Sequence, residues 1–171
     1  MTTRANDMRI LLDFDSAEEI TLFSPIDDAV MGGVSSSRLS NAGPGVAVFE
    51  GTVSLDNNGG FASIRSQARV WDTRDARAFV LRVRGDGKRY RFNVRTPGGP
   101  GAFRYEAPIE PPANEWVEVE IPIAGFRAKA FGQRVPGVGP PDPARIESLG
   151  FMISDKQAGS FRLEIDWIGI R

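Results

Sequence analysis

The sequence predicts an all-β fold, an antiparallel β-sandwich, and three observations support this prediction. Apolar and polar residues alternate in short runs along most of the chain, whereas helical periodicity is nearly absent. Glycine, proline and asparagine separate these runs, as is typical of turns between antiparallel strands. The 171 residues are enough to bury one hydrophobic core without disulfides, so we predict a single domain over residues 1–171.

The predicted elements follow from this alternation in chain order. Nine strands are predicted, at residues 8–15, 46–55, 61–65, 78–84, 89–95, 103–107, 116–121, 149–154 and 161–170. One helical turn is predicted near residues 16–19, where Ser16 is in position to cap it and Glu19 follows three residues later. Residues 125–143 are rich in glycine and proline, so we predict a long irregular loop there, a type of segment that is often functional or disordered.

The clearest local prediction is a hairpin between residues 78–84 and 89–95, with residues 85–88 as its turn. Apolar residues occupy one face of both strands, so the other face carries the arginines Arg82, Arg84, Arg89, Arg91 and Arg95. Guanidinium groups form paired contacts with carboxylates and phosphates, which makes this face a candidate surface for an anionic ligand or an acidic partner. The alternative is a ladder in which Glu118 and Glu120 neutralise the arginines across the strands.

Two glycine pairs mark the most distinctive segments, residues 27–37 (DDAVMGGVSSS) and residues 59–65 (GGFASIR). The first contains Asp28 and the second contains Arg65, which suggests close approach of the backbone around an organised polar site. Neither segment is a catalytic motif. The first glycine pair lacks the Lys-Ser/Thr that a phosphate loop requires, and it lacks the third glycine and the helix of a dinucleotide fingerprint.

Two interpretations of Asp28 and Arg65 remain open from the sequence. These residues could line a small polar cleft at one end of the sandwich, with Ser35, Ser63 and Asp155 as candidate neighbours. Alternatively, Asp28 and Arg65 form a buried ion pair that pins loops to the end of the fold. The nearby hydroxyls would then supply the hydrogen bonds that offset desolvation of the pair.

Four aromatic residues are candidates for stacking against a sugar. Trp116 is out of phase with the inward-facing valines of its strand, and Tyr105, Trp71 and Trp167 are further candidates. The alternative is ordinary packing in the core or at a sheet edge, which is the more common role of tryptophan.

Carboxylates in the first and last predicted strands are the remaining cluster of interest. Asp13, Asp15, Glu164 and Asp166 would gather if these strands lie side by side, and carboxylate oxygens are ligands of Ca²⁺. The spacing of a calcium loop is missing from this part of the sequence. Ordinary surface carboxylates are therefore the preferred interpretation, and we predict no metal site.

The composition excludes several classes of chemistry. Without cysteine or histidine, the chain has no thiolate nucleophile, no serine–histidine or cysteine–histidine catalysis, and no thiolate or imidazole metal site. A net charge of −1 does not favour nucleic acid as a partner. The sequence shows neither a signal peptide nor a stretch of about 18 apolar residues, so we expect a cytoplasmic protein without a membrane span. We predict no enzyme activity, no catalytic residues and no cofactor.

The ordered set of motifs resembles the complex I intermediate-associated protein 30 family over roughly residues 12–170. The resemblance rests on residues 27–37 and 59–65, followed by Trp116, Phe126 and residues 159–166 (GSFRLEID). It implies a jelly-roll sandwich similar to galactose-binding and carbohydrate-binding modules. It also implies a role in the assembly of respiratory complex I, not a reaction.

The predicted function is therefore a non-catalytic protein-interaction module, with subunits of a respiratory complex as candidate partners. The predicted contact elements are residues 131–138 and the arginine face of the hairpin. The alternative is a module that binds carbohydrate or another small ligand. The candidate binding residues are Asp28, Arg65, Arg82, Arg91, Arg95, Tyr105, Trp116 and Asp155.

Overall fold

A computed structural model describes residues 8–98 and 103–171 and confirms the antiparallel β-sandwich of jelly-roll type. The strands are β1 (Arg9–Leu12), β2 (Phe23–Pro25), β3 (Ser36–Asn41), β4 (Ala47–Val53), β5 (Ala62–Ser66), β6 (Ala78–Arg84), β7 (Tyr90–Arg95), β8 (Arg104–Ile109), β9 (Trp116–Pro122), β10 (Arg127–Ala130), β11 (Gln133–Arg134), β12 (Ser148–Ile153) and β13 (Gly159–Ile170). One short helix, α1 (Ala17–Thr21), follows β1, and 3-10 turns lie at Asp28–Met31, Asp56–Asn58, Ile123–Gly125 and Pro143–Arg145.

Two antiparallel sheets form the sandwich. The first sheet has the strand order β3-β4-β13-β6-β9, and β1 pairs with the end of β13. The second sheet has the order β11-β10-β8-β7-β12-β5-β2. The long strand β13 lies between β4 and β6, and it pairs with each of them along part of its length.

The hydrophobic core lies between the sheets and is rich in aromatic rings. Phe79 of the first sheet packs edge to face on Phe92 of the second, with ring centroids 5.1 Å apart. Phe92 in turn contacts Phe151 at 5.3 Å. These rings are fully buried, and edge-to-face contacts of this kind add to the stability that burial of apolar area provides.

The predicted hairpin between residues 78–84 and 89–95 is wrong, although both strands exist. β6 pairs with β9 and β13 in the first sheet, whereas β7 pairs with β8 and β12 in the second. Residues 85–89 therefore cross from one sheet to the other. Two strands that face each other across a core show the same inward apolar alternation as two strands of a hairpin, so the pattern alone does not distinguish them.

This crossing divides the predicted arginine face. Arg82 and Arg84 lie on the outer face of the first sheet, and Arg91 and Arg95 lie on the outer face of the second. The four arginines thus occupy opposite sides of the sandwich, because their strands face each other across the core.

Two local predictions also need correction. Residues 125–143 are not wholly irregular, since β10 and β11 form a short hairpin in the first half of the segment. The helical turn near residues 16–19 is present as α1, but the Ser16 side chain forms no capping hydrogen bond. The sequence prediction also omitted β2 and β3, which are the edge strands nearest the first glycine motif.

Candidate functional site

Asp28 is fully buried at the end of the sandwich, where the 3-10 turn Asp28–Met31 begins. Its carboxylate accepts hydrogen bonds from the backbone amides of Ser35, at 2.9 Å, and Gly60, at 2.8 Å. The Ser35 hydroxyl donates a further hydrogen bond to it. The first glycine motif is thereby joined to the second through one carboxylate.

Asp27 forms a second connection of the same kind beside it. Its carboxylate accepts hydrogen bonds from the hydroxyl and the amide of Ser37, at 2.6 and 2.9 Å, and from the amide of Ser63, at 3.0 Å. Ser37 belongs to β3 of the first sheet and Ser63 belongs to β5 of the second. We call Asp27 and Asp28 together the carboxylate tether, because they connect β3 of the first sheet, and the turn before it, with β5 of the second sheet and the turn before that strand.

The glycine pairs make room for this tether. A Cβ atom at Gly33 would lie 2.4 Å from Cγ of Asp28, and one at Gly59 would lie 2.5 Å from Asp28 Oδ2. Gly32 ends the 3-10 turn with a φ of +89°, a conformation that favours glycine. The close backbone approach that the sequence predicts is therefore present, and it surrounds a carboxylate.

The hydrogen bonds keep Asp28 ionised despite its burial. Burial alone would raise the pKa of this carboxyl group, but the hydrogen bonds from Ser35, Gly60 and Phe61 outweigh burial and hold the pKa below its ordinary value. Asp28 is thus an anion that backbone amides and the Ser35 hydroxyl stabilise in place of water.

The predicted ion pair between Asp28 and Arg65 is wrong. Arg65 lies on the outer face of β5, where its Cα partners are Ser24 and Gly150 of the neighbouring strands. Asp155 does not join Asp28 either, because it pairs with Arg91 at 2.9 Å. Asp28 is satisfied by backbone amides and by the hydroxyl of Ser35, which the sequence predicted as a candidate neighbour. The sequence carries no side-chain signal for the backbone donors.

The outer face of the second sheet carries cationic side chains on β5, β7, β8 and β10. We call five of its cationic residues the basic face: Arg65, Arg91, Arg95, Arg104 and Lys129. Glu106 is only 3% exposed, and it contacts Arg91 at 2.8 Å, Arg104 at 3.0 Å and Lys129 at 3.2 Å. One buried carboxylate therefore holds three cations together.

The other two cations of the basic face, Arg65 and Arg95, are not among the ion-pair partners of Glu106. Burial, together with the positive charges of Arg65 and Arg104, lowers the pKa of Arg95 to about 10. The sequence analysis identified Arg65, Arg91 and Arg95 as candidates but missed Arg104, Lys129 and Glu106. Their proximity depends on the pairing of β7, β8 and β10, which no local sequence pattern reveals.

The outer face of the first sheet is neutralised by its own carboxylates. Arg82 pairs with Asp166 at 3.0 Å, and Arg84 pairs with Glu164. The neutralising carboxylates thus come from β13, whereas the sequence analysis expected Glu118 and Glu120 of β9. An open depression of about 740 Å³ on this side is lined by the paired charges Arg38, Glu50 and Arg162, among others.

Two of the four aromatic candidates, Trp116 and Tyr105, already contact other side chains. The guanidinium groups of Arg84 and Arg82 lie over the Trp116 ring, at 4.9 and 5.5 Å from its centroid. Tyr105 is half-buried, packs against the core and contacts the Phe103 ring edge to face at 5.2 Å. Both side chains already have partners on the flat faces or edges that a sugar would use.

Two further findings concern metal binding and membrane crossing. Within residues 8–98 and 103–171, no group of three or more acidic, histidine or cysteine side chains could hold a metal ion. No helix in that part of the chain is long and apolar enough to cross a membrane.

The family model of complex I intermediate-associated protein 30 matches residues 12–165. A Caenorhabditis elegans relative named as a probable mitochondrial member is 27% identical over 188 residues, which cover 98% of this chain and 55% of the relative. The Drosophila melanogaster relative is 25% identical over 98% of this chain and 64% of its own length. A Mus musculus relative is 32% identical over 58% of this chain and 32% of its own length. The chain therefore spans between about a third and two thirds of these relatives.

Similar solved structures include carbohydrate-binding modules. The family 11 module of the cellulase Lic26A-Cel5E from Clostridium thermocellum has a TM-score of 0.70 at 19% identity, over 95% of this chain and 94% of the module. The same kind of module in complex with a mixed-linked tetrasaccharide has a TM-score of 0.68 at 19% identity, with the same coverage. At this level of identity the likeness shows the fold alone.

Substitution of Asp28 tests the tether directly. We expect Asp28→Asn to lower the free energy of unfolding by about 3 kcal/mol, because the new amide would point N–H groups at buried N–H donors. Asp56→Asn is the matched control, since Asp56 is exposed in the neighbouring turn, and it should change stability by about 0.5 kcal/mol or less. Urea unfolding measures both. Equal stability of the two variants would contradict the tether.

The acid dependence of stability provides a second test. Because the pKa of Asp28 is lower in the folded protein than its ordinary value of 3.8, its contribution is present above about pH 4 and is lost as the pH falls through the folded pKa. The stability difference between the wild type and Asp28→Asn should therefore shrink as the pH is lowered from 5 through and below the ordinary pKa of 3.8. A difference that stays constant over this range, measured by urea unfolding, would show that Asp28 does not titrate below its ordinary pKa.

Proposed function

The chain belongs to the complex I intermediate-associated protein 30 family, and we propose that it serves as a protein-interaction domain in the assembly of respiratory complex I. The family match over residues 12–165 supports the link to complex I assembly. The chain spans 55% of the length of the Caenorhabditis elegans relative. A complex I subunit as its partner is therefore also proposed here, and is not taken over from that longer protein.

The observation that carries an interaction role is the position of Phe131. Residues 131 and 132 form the two-residue turn between β10 and β11, because Ala130 pairs with Gln133. Phe131 has a φ of +51° and Gly132 a φ of +74°, as in the type I′ turns that favour Asn-Gly. Phe131 is also 83% exposed. A phenylalanine here costs stability twice, through its backbone conformation and through its exposed ring.

Aromatic side chains are over-represented among the residues that contribute most to protein–protein binding. An exposed aromatic ring at a rigid hairpin tip suits insertion into an apolar pocket of a partner. Val138 lies exposed in the same segment, which extends the apolar contact. This supports the predicted contact element at residues 131–138.

Charge beside the tip indicates the kind of partner. Lys129 lies in the hairpin strand β10 and reaches Glu106 at 3.2 Å, so the hairpin continues directly into the basic face. Arg134 lies exposed on the second strand of the hairpin. The partner we propose presents an apolar pocket with acidic groups at its rim, because such a surface complements both the ring and the cations.

We propose that this role is non-catalytic. The composition leaves carboxylates, hydroxyls and cationic side chains as the available reactive groups. The two most buried carboxylates near the candidate sites, Asp28 and Glu106, are saturated by amide, hydroxyl or cationic donors. A saturated carboxylate is poorly suited to accept a proton from a substrate.

The carbohydrate-binding interpretation is the second proposal. It is supported by the fold likeness to carbohydrate-binding modules, and Trp116 is the residue that would carry it. The arginines over its ring would have to move before a sugar could stack there. Binding of mixed-linked oligosaccharides that is lost on Trp116→Ala would favour this second function.

The compartment also stays a prediction. The sequence analysis predicts a cytoplasmic protein, whereas the Caenorhabditis elegans and Drosophila melanogaster relatives are named as mitochondrial. Immunodetection in purified cell fractions, with complex I subunits as markers, would locate the chain.

The substitution Phe131→Asn separates binding from stability. Because Asn adopts a positive φ more readily than Phe, we expect the variant to be more stable by about 1 kcal/mol in urea unfolding. Removal of the exposed ring should nevertheless reduce the recovery of complex I subunits with the tagged chain from native lysate, quantified by mass spectrometry. A more stable protein with weaker binding would identify Phe131 as a contact residue.

Val70→Asn is the matched control, because Val70 is exposed in a different loop. This variant should recover complex I subunits at the wild-type level. Equal recovery with the wild type, Phe131→Asn and Val70→Asn would contradict a contact role for the hairpin tip. Absence of complex I subunits with the wild-type chain would contradict the proposed function itself.

A further inference from the structure

The two edges of the first sheet end differently. At the β3 edge, the backbone amide of Ser37 donates to the Asp27 carboxylate of the tether, at 2.9 Å. At the opposite edge lies β9, and in the described part of the chain β6 is the one strand that pairs with it. The tether thus occupies the β3 edge, whereas β9 presents an unpaired edge of seven residues.

The register of β9 identifies which of its backbone groups face outward from the sheet. The amide of Ile123, just after β9, donates to the carbonyl of Arg77 at 2.9 Å. Because backbone groups of successive residues in an antiparallel strand point to opposite sides, the odd-numbered residues of β9 direct their groups at β6. The amides of Trp116, Glu118 and Glu120 therefore point away from the sheet, where no described strand pairs with them.

The side chains of β9 differ between the two faces of the sheet. Glu118 and Glu120 are exposed on the outer face. Val117 and Val119 pack against the core from the inner face but are only partly buried. An additional strand along this edge would pair the free backbone groups and cover the remaining apolar area of the valines.

The outer face of this edge is acidic. Glu118 stands opposite Arg82 of β6, but the guanidinium of Arg82 pairs with Asp166 at 3.0 Å. Glu118 has no ion-pair partner among the described residues. Glu120 pairs with Arg171 at 3.2 Å, and both side chains are about half exposed, so this pair is weak and easily exchanged.

These charges exclude a second copy of the chain as the occupant of the edge. The outward backbone groups belong to the glutamates, so an antiparallel strand that bonds there places its own bonded residues directly opposite Glu118 and Glu120. Two β9 strands paired in this way would set glutamates against glutamates, which is destabilising.

A strand with basic residues at these positions would instead form opposite-charge pairs with the glutamates. Apolar residues between the basic ones would lie on the inner face and cover Val117 and Val119. We propose that β9 is a site of strand addition, which binds an extended segment of a partner protein in which basic and apolar residues alternate. This segment differs from the acidic surface proposed to bind the hairpin tip, so the inference goes beyond the proposed function.

A synthetic peptide with the sequence Lys-Val-Lys-Val-Lys-Val-Lys, blocked at both ends and fluorescently labelled, tests this inference by fluorescence anisotropy. We expect it to bind the wild type. The peptide with glutamate in place of each lysine should bind about tenfold more weakly or less. Methylation of the lysine backbone nitrogens removes the donors that face β9 and keeps every charge, and it should also weaken binding about tenfold or more.

Glu118→Lys reverses one charge of the edge, so it should weaken binding of the lysine peptide about tenfold or more. Glu118→Gln is a milder second variant, and it should weaken binding by about threefold. Glu18→Lys is the matched control, because Glu18 is exposed in α1, and its affinity should stay within about twofold of the wild type. Circular dichroism checks that each variant is folded.

Hydrogen exchange of the edge amides is a measurement that attraction between charges alone would not change. The amides of Trp116, Glu118 and Glu120 should exchange more slowly when the lysine peptide is bound. Phe131→Asn should bind this peptide as the wild type does, so failure of strand addition and failure of the proposed interaction function are distinguishable.

Three outcomes would overturn the proposal. A wild type that does not bind the lysine peptide would leave the glutamates as charges that protect the edge from self-association. Equal binding of the N-methylated and unmodified lysine peptides, or unchanged exchange of the edge amides, would show charge attraction without strand addition. Equal binding to the wild type and to Glu118→Lys would place the peptide elsewhere on the protein.

Discussion

The hydrogen bonds to Asp27 and Asp28 are the constraint on which the arrangement of the two sheets depends. A buried carboxylate without partners is strongly destabilising, so the fully buried Asp28 requires the donors around it to be in place, and the half-buried Asp27 adds a second set of hydrogen bonds beside it. The donors come from β3 and β5, and from the turns that lead into them, which lie on different sheets. Formation of the tether therefore fixes how the edge of one sheet meets the edge of the other. Gly33 and Gly59 belong to the same constraint, because a side chain at either position would overlap Asp28.

The most distinctive segments of the sequence thus maintain the fold, and the outer faces of the sheets are left for function. The outer face of the first sheet pairs its arginines with carboxylates of β13. The outer face of the second sheet has cations in excess, and it is continuous with a hairpin that exposes Phe131. This division explains how a likeness to carbohydrate-binding modules in fold is compatible with a different surface chemistry, since fold and function are separable.

The sequence predicted the fold class and most strand positions, because alternation reports burial of one face and does so reliably for strands such as β6 and β9. It failed on the partnership of β6 and β7, because an inward face looks the same in a hairpin as it does across a core. For the candidate site, Asp28 and Arg65 were recognisable, but their relationship was not. The partners of Asp28 are mostly backbone amides, and Glu106 meets its cations only through the pairing of strands far apart in sequence.

Hydrogen exchange of individual amides, followed by nuclear magnetic resonance, tests the tether in the unmodified protein. If the carboxylates join the two sheets, the amides of Ser35, Gly60 and Ser63 should exchange as slowly as the amide of Leu149, which is hydrogen-bonded in the buried strand β12. Exchange of these three amides at the rate of exposed loop residues, with Leu149 still protected, would contradict a tether that holds the sheets together.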